Sequence, residues 1–191
     1  MMDAAHFKTV RERHASYEAA RRNVIKLAGD ALNASKRAIF ALHRDDLAGA
    51  DQLLAEAAAG FEAVAKLTEA LPDLASEGSY RAAMEEFVES TLYRQFRHGE
   101  PIGAVPGRHI DHEIYLGGLT DLTGEIQRLM VRFATEGRFD ELRQAKDAIE
   151  EIINHLLAMD LGGYLRTKFD QAKNNLRRAE DILYETSIRR K

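Results

Sequence analysis

Residues 24–42, VIKLAGDALNASKRAIFAL, decide the fold class of this chain. Their apolar side chains recur at intervals of three and four, the spacing that places them on one face of an α-helix. The wider segment 4–44 has no proline and a single glycine, Gly29, where a bend is possible. At 1.5 Å per residue, the sequence predicts a first helix of roughly 60 Å.

The rest of the chain repeats this helical spacing and has no alternating pattern typical of β-strands. Further helices are predicted at residues 47–71, 80–98, 112–136, 139–159 and 164–188. Their expected boundaries are Asp45–Asp46 as turn and cap, Pro72 as a stop, Ser79 and Asp111 as caps, and Gly99 and Gly137 as stops. The chain is therefore expected to be an all-α bundle of six or seven helices.

Composition fits one folded domain over residues 1–191, which are 45% hydrophobic and 30% charged. Because cysteine is absent, disulfides and thiolate metal sites are excluded, and a cytoplasmic location is expected. The longest stretch without Asp, Glu, Lys or Arg covers residues 152–159, much shorter than a membrane span, so no membrane partner is expected.

Positive charge is concentrated at the two ends of the chain. Residues 1–44 carry nine Lys and Arg against four acids, and residues 161–191 carry eight against four, although the net charge is −4. A local basic face can bind a polyanion even when the whole protein is acidic. The competing interpretation is that these are ordinary solvated helix faces.

Four carboxylates form a pattern that suggests a metal site. Glu86 and Glu89 are three residues apart, and Asp121 and Glu125 are four apart, so each pair points one way on its helix. Apolar neighbours turn both pairs partly inward, where carboxylates lose water and repel one another. They then need a positive partner such as a divalent metal, unless they are surface pairs matched by arginines.

Glycines accompany the second acidic pair at positions 117, 118 and 124. Glycine inside a helix costs about 1 kcal/mol relative to alanine, so three within eight residues need a reason. We expect either close approach of another helix or room for a ligand.

The segment YLGGLTDLTGE at residues 115–125, followed by Arg128, resembles the translin/Trax family. The start at Tyr80–Arg81, the block EFVE at residues 86–89 and the final helix from about residue 165 to 185 also resemble that family, in matching order and spacing. The resemblance implies a translin-like bundle of six to seven helices with a long first helix.

The same resemblance implies a function. Family members form hollow octamers that bind single-stranded nucleic acid, and the Trax branch carries a metal-dependent endoribonuclease site. That site corresponds here to Glu86, Glu89, Asp121 and Glu125, with Glu89 and Asp121 as the principal ligands. Translin subunits lack part of this set, so the intact set favours the catalytic branch.

The resulting expectation is a Mg²⁺- or Mn²⁺-dependent endoribonuclease acting on single-stranded RNA as a homo-octamer, with single-stranded DNA as a second ligand. Oxygen ligands without thiolates suit these metals. Two alternatives stay open: a non-catalytic translin-like binding oligomer and a purely structural helical scaffold.

Affinity for RNA would have to come from basic residues, because carboxylates repel phosphate. The candidates are Arg21, Arg22, Lys36, Arg37, Arg81, Arg94, Arg97, Arg166, Lys168, Lys173 and Arg177. At least half of them are expected to pair with acids of the chain instead. Tyr80 and Tyr93 are possible base-stacking residues, but burial in the core is the preferred interpretation.

Two other metal-like patterns carry less weight. A ferritin-like di-metal site needs Glu-x-x-His, whereas Glu151 and His155 are four residues apart. The cluster at His109, Asp111, His112 and Glu113 is better explained by a helix cap and a first-turn acid.

Overall fold

The computed structural model describes residues 2–107 and 110–188. In that part of the chain the secondary structure is helical, without strands, as predicted. The elements are α1 (Ala4–His43), α2 (Leu47–Ala70), a 3-10 helix (Pro72–Ser76), α3 (Gly78–His98), α4 (His112–Glu136), α5 (Phe139–Leu157) and α6 (Gly163–Ile188). Six α-helices and one 3-10 helix in the described residues confirm the predicted number.

Local sequence accounts for most of the helix ends. The side chains of Asp46 and Asp111 accept hydrogen bonds from the backbone N–H groups of Gly49 and Glu113, which would otherwise lack a partner. At the other ends, Gly99 and Gly137 take the left-handed conformation, with φ of 68° and 72°. These four predicted boundaries are confirmed.

The predicted cap at Ser79 is wrong. Helix α3 begins one residue earlier, at Gly78, and its N-cap is Glu77, whose side chain makes no capping bond. The Ser79 hydroxyl is buried and has no hydrogen-bond partner within the described residues. The 3-10 helix ends at Ser76, and the backbone N–H of Glu77 donates a hydrogen bond to the carbonyl of Leu74. Because Glu77 is held there, helix α3 begins before Ser79.

The helices pack in an order that places α3 and α4 at the centre. Helix α1 packs against α2 and α3, α3 against α4, and α4 against α5 and α6, which also contact each other. One apolar core runs through all six helices. Residues 4–16 of α1 are exposed throughout, so the helix extends beyond the bundle.

Helices α3 and α4 approach closely at two glycines. A Cβ atom on Gly118 would lie 2.8 Å from the carbonyl oxygen of Glu85 and 2.8 Å from Cβ of Val88, and one on Gly117 would collide with the Glu85 carboxylate. Such contacts leave no room for a side chain, which confirms the predicted close approach and brings the acidic segments of the two helices together.

Candidate metal and nucleic-acid site

The structure brings the four predicted acids together between α3 and α4. Glu86 and Glu89 project from α3, and Asp121 and Glu125 from α4. Burial raises the pKa of Glu86, and the negative charges of Asp121 and Glu125 raise it further, while Lys36 lowers it. The charges of Asp121 and Glu125 act on Glu86, which indicates that the two pairs lie near one another.

Glu89 is the most buried of the four, with 8% of its surface exposed. Burial raises its pKa to about 9, and the charges of Asp121, Glu86 and Glu125 act in the same direction. No hydrogen bond or ion pair joins its carboxylate to another residue in 2–107 or 110–188. A buried carboxyl without a partner is costly when ionised, so in the metal-free protein it is protonated at neutral pH.

Asp121 contacts Lys168, which the sequence analysis proposed as an RNA-binding residue. Lys168, on α6, forms an ion pair with Asp121 and a second one with Glu85, at 2.6 Å. Tyr164 donates a hydrogen bond to the same Glu85 carboxylate, also at 2.6 Å. Burial would lower the pKa of Lys168, but these bonds outweigh it and raise the pKa. Burial raises the pKa of Asp121 even though Lys168 opposes the shift.

Glu125 is held from α1. His43, the last residue of that helix, bonds through Nε2 to the Glu125 carboxylate, and its Nδ1 lies 3.1 Å from the Tyr93 hydroxyl. Arg128 adds a weaker ion pair to Glu125 at 3.8 Å. The fourth acid, Glu86, has Lys36 at 4.0 Å.

Two of the four acids, Glu86 and Asp121, line an open cleft of about 490 Å³ between α1, α3, α4 and α6. It is lined by Leu32, Lys36, Arg81, Ala82, Glu85, Glu86, Glu113, Ile114, Asp121 and Tyr164. Its walls therefore carry four carboxylates and two cations, and the charge of Asp121 also acts on the buried Glu89.

The chemistry of the donors fits Mg²⁺ or Mn²⁺, which prefer carboxylate oxygen. Among the described residues, however, no three His, Asp or Glu side chains are already grouped as a metal-binding set. Asp121 contacts Lys168, Glu125 contacts His43 and Glu86 has Lys36 at 4.0 Å, so three of the four carboxylates have other positive or hydrogen-donating partners.

Most of the predicted RNA-binding cations are paired within the chain. Eight of the eleven have a carboxylate within 4.0 Å: Arg21, Lys36, Arg81, Arg94, Arg97, Arg166, Lys168 and Lys173. Arg22, Arg37 and Arg177 are exposed and have no ion pair within the described residues. The expectation that at least half would pair internally is confirmed.

Arg97 was a candidate for RNA binding because of its charge, but its side chain is buried. Its side chain is 8% exposed, and it donates to the backbone carbonyl of Leu42 and to Asp45. Tyr93 is fully buried, and Tyr80 packs at the edge of the core beside Phe61, as the preferred interpretation held. Arg97 and Tyr93 are therefore interior residues.

The other metal-like patterns stay apart from this site. His155 and Glu151 are both about three-quarters exposed and 4.0 Å apart on α5. Asp111 caps α4, and the hydrogen bond from the Glu113 backbone lowers the pKa of Asp111. His109 lies outside the described residues.

Comparison with known proteins identifies the family. The Translin family model matches residues 19–190. The chain belongs to the Translin family. Translin from Bos taurus is 30% identical over 116 residues, 58% of this chain and 51% of that protein. Translin from Homo sapiens is 29% identical over a stretch that covers the same shares. The chain thus spans about half the length of these curated relatives.

Solved structures agree on the Translin-family fold. The crystal structure of AfC3PO has a TM-score of 0.89 and 23% identity, covering 97% of this chain and 98% of that one. The AfC3PO complex with duplex RNA has a TM-score of 0.87 at the same identity and coverage. The predicted translin-like, all-α fold is confirmed. None of the helices within residues 2–107 and 110–188 is long and apolar enough to cross a membrane.

The sequence analysis did not single out Glu85, Tyr164 or His43 at the site of this Translin-family chain, and it proposed Lys168 for RNA binding. Glu85 lies four residues before Glu89, so the argument from helical spacing applies to it as well. Tyr164 and Lys168 are four residues apart on α6, a spacing that could have signalled a shared contact. His43 and Glu125 are 82 residues apart, and no local pattern connects them.

Proposed function

We propose that this Translin-family protein is a metal-dependent endoribonuclease that cuts single-stranded RNA. The observation that supports this most directly is Glu89, a residue with 8% of its surface exposed, whose carboxyl group has no ion pair within the described residues and feels the charge of three other acids. A bound divalent cation would offset both the desolvation of Glu89 and the mutual repulsion of the cluster. A purely structural scaffold has no need for such a costly arrangement.

The carboxylates of Glu86, Glu89, Asp121 and Glu125 would hold Mg²⁺ or Mn²⁺. The cation supplies water activation and neutralisation of charge on the phosphate. Before it binds, Lys168 neutralises part of the negative charge on Asp121 and Glu85, and the proton on Glu89 removes a further charge. Cation binding therefore requires Glu89 to lose its proton.

RNA would reach these acids along the C-terminal half of α1. Phe40 is 50% exposed there, and the Arg128 guanidinium lies over its ring, 5.4 Å from the centroid. Arg37 and Arg44 share a groove of about 570 Å³ with Phe40. An aromatic ring among arginines suits base stacking together with phosphate contact. Arg128 also contacts Glu125, so this surface adjoins the acids.

The relatives support an RNA ligand and assembly in general terms. AfC3PO was solved with duplex RNA, and the fold is the same. Preference for single strands, binding of single-stranded DNA and assembly into a hollow homo-octamer remain proposals that rest on the family resemblance.

A non-catalytic, RNA-binding oligomer is the second candidate. Two observations favour it: Lys168 and His43 already occupy Asp121 and Glu125, and the curated relatives are named Translin. In that case the acids would be a structural network without a metal.

Cleavage of labelled single-stranded RNA separates the two candidates. The wild type is compared with Glu89→Gln in Mg²⁺, in Mn²⁺ and in EDTA, with Glu69→Gln, an exposed position on α2, as the matched control. A nuclease cuts only with metal, is inactivated by the Glu89 change and tolerates the Glu69 change. Equal RNA binding by all three proteins, without cleavage under any condition, would establish the binding oligomer instead.

A further inference from the structure

We propose that Tyr93 and His43 form a hydrogen-bonded relay that positions Glu125 for metal binding. This inference rests on the proposed function, since it concerns one of the four proposed ligands. His43 lies between the Tyr93 hydroxyl and the Glu125 carboxylate and contacts both. It is a positioning residue, because it acts on the cation through Glu125.

The donor and acceptor at each step follow from the chemistry of the side chains. The Glu125 carboxylate has only acceptors, so the proton of its hydrogen bond with His43 is on Nε2. A neutral imidazole that carries its proton on Nε2 accepts at Nδ1, so the Tyr93 hydroxyl donates to that atom.

Both ends of the relay are fixed by the fold. Tyr93 is fully buried, and its ring centroid lies 5.0 Å from that of His43. Arg97 donates to the carbonyl of Leu42, and Arg132 donates to the carbonyl of His43, so two arginines hold the end of α1. The imidazole therefore has a defined place relative to α4, and 12% of its side chain is exposed.

A held carboxylate binds a cation better than a mobile one, because less conformational freedom is lost on binding. In known metal sites, removal of such an outer partner typically weakens metal affinity 10- to 100-fold. His43 uses Oε2 of Glu125, which leaves Oε1 without a partner among the described residues. The relay thus directs one oxygen toward His43 and leaves the other for the cation.

The test is direct Mn²⁺ binding, measured by electron paramagnetic resonance without RNA. The proteins are wild type, His43→Ala, His43→Gln and Tyr93→Phe, with the exposed His155→Ala as control. We expect the His43→Ala change to weaken Mn²⁺ affinity about 10- to 100-fold. His43→Gln should recover part of that loss, because its amide can donate to Glu125, and Tyr93→Phe should cause a smaller loss.

A double-mutant comparison tests whether His43 acts on Mn²⁺ affinity through Glu125. In a Glu125→Gln background, His43→Ala should cause little further loss of Mn²⁺ affinity, because the ligand that it positions is gone. If His43→Ala does not fold, as judged by circular dichroism, Tyr93→Phe alone and in the Glu125→Gln background carries the same test.

The outcomes separate this inference from the proposed function. A wild type that binds no Mn²⁺ would overturn both. A wild type that binds Mn²⁺, together with His43→Ala and Tyr93→Phe variants of equal affinity, would overturn only the relay. Tighter binding by His43→Ala would also overturn it, because His43 would then compete with the metal for Glu125.

Discussion

Replacement of Glu89 by glutamine should stabilise the metal-free protein, and the gain should depend on pH. Glutamine has the shape of a protonated glutamate but cannot ionise. Glu89 has no hydrogen bond or ion pair to lose within the described residues. The substitution therefore removes mainly the cost of keeping an ionisable group in a buried, negatively charged site.

The direction and size of this stabilisation follow from the pKa of Glu89, which folding raises from 4.5 to about 9. The folded protein holds the proton of the Glu89 carboxyl group more tightly than the unfolded chain does. The stability that this proton contributes is therefore complete below pH 4.5 and is lost progressively up to pH 9. One pKa unit is worth about 1.4 kcal/mol, and pH 7 is about 2.5 units above the unfolded pKa, so the loss at pH 7 is at most about 3.5 kcal/mol. Glu89→Gln should avoid that loss.

The assay is urea unfolding in EDTA at one protein concentration, from pH 5 to pH 8. The difference in free energy of unfolding between Glu89→Gln and wild type should widen with pH, whereas Glu69→Gln should track the wild type. Added Mg²⁺ should stabilise the wild type more than Glu89→Gln. A difference that stays constant across this pH range would refute the reasoning, since it would mean that Glu89 ionises normally in the folded protein.

Four further predictions concern two cations, the exposed aromatic residue and the assembly. Lys168→Met should destabilise the metal-free protein by about 1–3 kcal/mol in urea unfolding, because Asp121 loses its counter-charge, and Mn²⁺ should restore more stability to this variant than to wild type. Phe40→Ala should weaken single-stranded RNA binding in fluorescence anisotropy by about 1–3 kcal/mol at fixed salt, whereas the equally exposed Val131→Ala should not; equal losses in both would contradict base stacking. Arg37→Ala should reduce the slope of log affinity against log salt by about 0.7, the contribution of one phosphate contact. A homo-octamer of 21.5 kDa chains should have a mass of about 172 kDa by light scattering.

Local chemistry made much of the fold readable from sequence. The spacing of apolar residues predicts all six α-helices, and Asp46, Asp111, Gly99 and Gly137 mark their ends as expected. Caps and left-handed turns depend on a residue and its near neighbours, so they are encoded within a few positions. Ser79 failed as a cap because the preceding 3-10 helix already set where α3 begins.

The acids of the candidate site were partly predictable for the same reason. Glu86 with Glu89, and Asp121 with Glu125, are pairs within one helix, and their spacing places each pair on one face. The glycines near Asp121 predicted either a close helix approach or room for a ligand, and at Gly118 the structure shows the close approach. Family resemblance then connected the two pairs.

The amino-acid sequence by itself determined the helices, their ends, the family and the two acidic pairs. Only the tertiary structure decided which charges meet. Lys168 and Arg97 were equivalent to other basic residues in the sequence, but in the fold one neutralises Asp121 and the other holds the end of α1. His43 contacts Glu125 across 82 positions. Such partners depend on how helices cross, and crossing geometry is set by the packing of whole surfaces, which no short stretch of sequence contains.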